Sequence, residues 1–180
     1  MTVNSKTKKI LQIVNFAFIL IALGLRIYNL FSIGSIYRLV ADISGCLTLI
    51  AAIIYCVYGF KKDAAKFFKI YIWLYTIMSF IHIAIDLEGG TSYAVILLSA
   101  LNFATAFVIS VTEDLGREKT LSLGAINFAS CAVAIIIAFA TICNGSLEMV
   151  IVCIGQIIPA IIFNLMLLAK YVDKEERGTK

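Results

Sequence analysis

Leu121 to Cys143 reads LSLGAINFASCAVAIIIAFATIC, twenty-three residues without a charge or a proline. A helix of that length rises about 34 Å, enough to cross a hydrocarbon layer of roughly 30 Å. Backbone amides in lipid must find partners within their own segment, so a helix is the economical form. A barrel strand would be shorter and would alternate in polarity, and Val133 to Phe139 (VAIIIAF) do not alternate.

Five more runs of the same kind surround it: Ile10 to Ile33, Leu39 to Phe60, Phe67 to Leu87, Tyr93 to Thr112 and Leu147 to Ala169. Hydrophobic residues are 62% of the 180 and the mean hydropathy is +1.00, whereas soluble domains hold roughly 45 to 50% apolar residues. The runs take up 133 residues and leave 47 for tails and loops, too few for a soluble domain. The expected fold is all-α: a polytopic integral membrane bundle of six transmembrane helices, forming a single transmembrane domain over residues 1–180 whose first partner is the lipid bilayer.

Charge orients the bundle. Thirteen of the fifteen Lys and Arg residues fall on one side of the six-run map, and only Arg26 and Arg38 fall on the other. Basic residues in short loops stay cytoplasmic, so both termini are expected in the cytoplasm of a multi-pass cell-membrane protein. Basic ends facing anionic lipid account for the net charge of +4, and no nucleic-acid partner is implied. The first apolar run is too long for a signal-peptide core and no small-residue cleavage site follows it, so it is read as a signal-anchor. Three runs lie on either side of Glu88-Gly89-Gly90-Thr91-Ser92, the arithmetic of an inverted repeat. Repeated Asn-Phe-Ala triplets at 15–17, 102–104 and 127–129 do not fit that symmetry.

Polar residues inside the runs need partners, water or a short route to the interface. At 100° per residue, Asn15, Ala22, Arg26 and Asn29 share one sector of the first run, and Tyr75, Ser79, His82 and Asp86 share one of the third. Such stripes should face each other or a cavity. The functional expectation is an outward-opening polar vestibule with a small-molecule ligand, walled by Arg26, Asp42, His82, Asp86 and Gln156, with Asn102 near its floor. A guanidinium suits a carboxylate or phosphate, and His82 beside Asp86 suits proton transfer. The structural expectation is simple pairing: Arg26 or Arg38 with Asp42, and His82 with Asp86 at i,i+4. Asn15, Asn127 and Asn164 read as hydrogen-bond glue between helices.

Small residues four apart predict close helix approach at Ala41 and Gly45, Ala100 and Ala104, Ala125 and Ala129, and along Ser130, Ala134 and Ala138. Two such ladders on the fifth run place it at the centre of the bundle. Pro159, with Gly155 and Gln156 ahead of it, predicts a kink in the sixth run.

Enzymatic and cofactor chemistry has no foothold in the sequence. The five cysteines (Cys46, Cys56, Cys131, Cys143 and Cys153) form no C-x-x-C pair, and one histidine cannot make a bis-histidine haem site or H-E-x-x-H. No Walker motif or G-x-S-x-G is present, so neither a cofactor nor a metal is expected. Asn144-Gly145-Ser146 matches a glycosylation acceptor but reads as a turn. Six spans in a chain of this size resemble the substrate-capturing subunits of vitamin uptake transporters. The alanines four apart in their first helix are absent, Ala17 and Ala22 being five apart, and no residue role carries over. Small-solute binding or transport is the first expectation. A non-transport subunit with a membrane or cytoplasmic protein partner, for assembly, sensing or immunity, is the alternative.

Overall fold

A computed structural model describes residues 5–31, 36–58, 64–112, 115–142, 154, 157–168 and 170. Among them are helices α1 (Ser5–Phe31), α2 (Ile36–Tyr58), α3 (Ala64–Glu88), α4 (Tyr93–Val111), α5 (Arg117–Ile142) and a shorter apolar α6 (Ile157–Leu168). By length and composition, four of these helices can cross a membrane, along Leu39–Val57, Lys66–Glu88, Tyr93–Val111 and Arg117–Thr141. In α1 the apolar stretch, Ile13–Tyr28, is shorter; Lys6, Lys8 and Lys9 precede it and Arg26 lies within it. Gln156, Gly155, Cys143, Cys153 and Asn144 to Ser146 lie outside the described residues, as do the side chains of Asn29 and Arg38.

Consecutive helices from α1 to α5 pack against one another. The turn from α3 to α4 shows how sequence enforces this. Gly90 adopts φ +62°, which a residue without Cβ accepts freely. The chain reverses there while Thr91 N–H donates to Asp86 O (3.1 Å) and Gly90 N–H to Leu87 O (3.4 Å), a Schellman pattern that satisfies the last carbonyls of α3. Four residues then suffice to start α4 antiparallel to α3.

Several contacts place helix ends together. Asn15 early in α1 meets Cys56 late in α2 and Met166 late in α6. Tyr55 of α2 packs on Phe68 of α3, ring centroids 5.3 Å apart, and Lys170 Nζ lies 4.9 Å from the same Phe68 ring. The start of α1, the end of α2, the start of α3 and the end of α6 therefore share one end of the bundle. Arg26, Asp42 and His82 meet toward the other end.

The centre belongs to α6, not to α5 as the small-residue ladders led us to expect. Ile162, Phe163 and Met166 are fully buried, and Phe163 stacks on Tyr75 of α3 at 4.1 Å and 11°. In α5 only one ladder turns inward: Ser130 and Ala134 are buried, while Ala125 and Ala129 are exposed alongside Ile126, Val133, Ile136 and Phe139. Small residues permit close approach without compelling it, and the bulkier, better-filling face of α6 takes the interior. Ala41 and Gly45 do line a buried contact, whereas Ala104 is exposed. Large apolar side chains cover the outside of every long helix, from Ile13 and Leu20 to Leu97 and Ile136. Soluble monomers rarely expose apolar surface so continuously.

Candidate functional site

Both predicted stripes face inward. Asn15, Ala22 and Arg26 are buried on α1, as are Tyr75 and Ser79 on α3, while His82 and Asp86 are half-buried. The residues expected to wall one vestibule nevertheless fall into three separate groups.

The first joins α1, α2 and α3. Arg26, 5% exposed, donates from Nη1 to Asp42 Oδ1 at 2.8 Å, and its Nη2 lies 3.5 Å from His82 Nε2. Arginine carries no acceptor, so His82 can meet it only through the Nε2 lone pair, which puts the ring proton on Nδ1. Asp42 offers one oxygen to a cation that carries five N–H donors, and Arg26 Nε has no hydrogen-bond partner among the described residues. Gly45 explains the gap at Nε: a Cβ built there would stand 2.9 Å from that nitrogen. The guanidinium lies flat over the backbone of α2 because position 45 has no side chain. Gly45→Ala is expected to push Arg26 off Asp42 at a cost of about 1 to 3 kcal/mol, the range for overfilling a packed site. Thermal unfolding in detergent would measure it, and an unchanged midpoint would contradict the close approach.

The second group joins α3 and α4. Asp86 Oδ2 accepts from Ser99 Oγ at 2.5 Å, and Thr91 Oγ1 donates to the Asp86 backbone carbonyl at 2.9 Å. The expected His82 to Asp86 pairing is therefore replaced: the imidazole turns toward Arg26 and the carboxylate toward Ser99. A neighbouring helix can offer straighter bonds than the next turn of the same helix, where both side chains lean toward the N-terminus.

The third group sits mid-bundle, where α3, α4 and α5 meet. Asn102 Nδ2 donates to Asn127 O (3.1 Å), and Asn127 Nδ2 donates to Asn102 O (2.8 Å) and to Thr105 Oγ1 (3.0 Å). Tyr75 Oη donates to Asn127 Oδ1 at 3.0 Å. Asn102 thus belongs to a satisfied internal clamp and not to the floor of the Arg26 group. Asn127, read from sequence as glue, is its hub, and no periodicity argument could have singled it out from Asn15 or Asn164. Gln156 lies outside the described residues.

Elsewhere, among the described residues, Asn15 Nδ2 reaches two sulfurs, Met166 Sδ at 3.0 Å and Cys56 Sγ at 3.6 Å, and its buried Oδ1 has no hydrogen-bond partner. Among those residues no three His, Cys, Asp or Glu side chains converge as a metal site requires. The chain matches no family model, no curated protein and no solved structure.

Proposed function

We propose that this chain is a non-enzymatic integral protein of the cell membrane that crosses the bilayer six times, keeps both termini in the cytoplasm, and binds or transports a small solute at the Arg26 group. The topology is supported by the thirteen-to-two distribution of basic residues and by contacts that bring the start of α1 and the end of α6 to one end of the bundle. On that topology the Arg26 group lies in the outer part of the membrane.

The observation that carries the solute reading is the buried guanidinium of Arg26, held among the described residues by a single carboxylate oxygen beside a half-buried histidine. A buried charge is normally satisfied from several directions, because desolvation costs several kcal/mol per ion. A solute supplying further acceptors would complete the shell.

The reading is tested by screening small anionic, neutral and cationic solutes for thermal stabilisation of the detergent-purified chain. At least one solute should raise the midpoint of the native protein, with the gain lost in Arg26→Gln and reduced in His82→Gln. A gain that survives in both variants would remove the Arg26 group from the binding site. A second reading, a subunit that docks another membrane protein, is favoured by the outward-facing Ala125 and Ala129 on α5. Cysteine cross-linking from position 129 to a different polypeptide in native membranes would support it, and cross-linking to lipid probes alone would count against it.

A further inference from the structure

Resting on the solute-binding reading, we propose that the Arg26 group takes a compact oxyanion between Arg26 and His82, and that one proton enters with it and is carried on His82 Nε2. In the structure, Arg26 Nη2 and His82 Nε2 face each other at 3.5 Å, a long and weak contact for a buried cation. Nη1 is engaged by Asp42, and Nε is shut against Gly45, so the Nη2 edge is the side on which a ligand can be received. Admitting the ligand requires half-buried His82 to swing away from Arg26, whereas Asp42 is buried against it.

An oxyanion placed in that gap accepts from Nη2 but meets a lone pair on Nε2, which repels it. Protonation of Nε2 turns that acceptor into a donor and sets a second cation against the anion. The charge count also requires it. Arg26 and Asp42 already cancel, so an anion arriving alone would leave a net negative charge in a site with little water. One anion and one proton enter from solution, the proton bonds to Nε2 and no other bond is made or broken, so a monoanion such as a carboxylate leaves the net charge of the cluster unchanged and a dianion such as sulfate adds one negative charge. Among the described residues, the other titratable groups nearby are Cys46, one turn past Asp42, and Asp86, one turn past His82 and bonded to Ser99. Neither lies between the two nitrogens.

The test uses the full chain in detergent with acetate and sulfate, two oxyanions whose own charge is constant near neutral pH. Occupancy is read from protection of Cys46 against alkylation, located by peptide mass, and proton uptake from a pH dye in weak buffer. The expected result is one proton taken up per anion, with apparent affinity falling about tenfold per pH unit because each bound anion draws one proton from solution onto a neutral imidazole. His82→Gln should keep measurable anion protection and lose both the proton uptake and the pH slope. Response to acetate alone identifies a carboxylate ligand, to sulfate alone a tetrahedral one, and to both a general oxyanion site. Anion binding without proton uptake, or a pH slope that persists in His82→Gln, overturns the proposal. If neutral or cationic solutes protect Cys46 and neither oxyanion does, the oxyanion site fails while the solute-binding reading stands. If no solute of any class protects it or stabilises the fold, both fail.

Discussion

Arg26→Ala is expected to destabilise the bundle by about 3 to 5 kcal/mol, the range for breaking a buried ion pair from one side. The loss comes from Asp42, which the truncation leaves buried and negatively charged with its short 2.8 Å bond gone. The rescue is as informative as the loss. Replacing both partners, Arg26→Met with Asp42→Leu, should recover most of the stability, because a packed apolar pair avoids desolvating two charges. Unfolding in mixed micelles, followed by tyrosine and tryptophan fluorescence, would give both numbers. A cost under about 1 kcal/mol for Arg26→Ala would mean that the pair does little to hold α1 to α2. If the double variant is stable but no longer responds to solutes, the pair is retained for binding and not for folding.

Asn127→Leu should be nearly as costly, at about 2 to 4 kcal/mol. Single hydrogen bonds between membrane helices average only about 0.6 kcal/mol, so three side-chain bonds account for about 1.8 kcal/mol, just short of that range. The rest comes from what the substitution strands, the Tyr75 hydroxyl deep in an apolar seam, at about 1 to 3 kcal/mol for a buried group without its partner, whereas the Asn102 carbonyl keeps its bond from Thr105 Oγ1. Tyr75→Phe provides the control. It removes one bond and keeps the stack on Phe163, so its cost should be about 1 kcal/mol or less. Equal costs for the two variants would mean that aromatic packing, and not the asparagine clamp, fixes α5 against α3 and α4. Reversible unfolding of the two proteins under identical detergent conditions decides it.

How far the site could be read in advance depended on the distance over which each signal acts. The inward direction of Asn15, Ala22 and Arg26, and of Tyr75 and Ser79, follows from 100° steps along single helices, and both stripes do face the interior. The Arg26 to Asp42 pair could also be foreseen, because the two residues lie sixteen apart on consecutive helices. His82 was paired with Asp86 on spacing alone, yet each found its partner on another helix, Arg26 on α1 and Ser99 on α4. The central position went to α5 because small residues are easily counted, whereas the fit of Phe163 and Met166 against Tyr71, Tyr75 and Asn15 has no signature in the spacing of any one segment.

By itself, the order of residues determined that the chain is built from long apolar helices, where the charges interrupt them, and which face of each helix is polar. These properties are local: hydrocarbon thickness sets segment length, and helical pitch sets the face. Tertiary structure alone decided that the described polar residues divide among three sets of hydrogen bonds, that Asn127 is a hub while Asn102 only answers it, and that α6 fills the middle. Those outcomes depend on the depth and rotation at which two helices meet. A shift of a few ångströms exchanges one hydrogen-bond partner for another while leaving every helix intact.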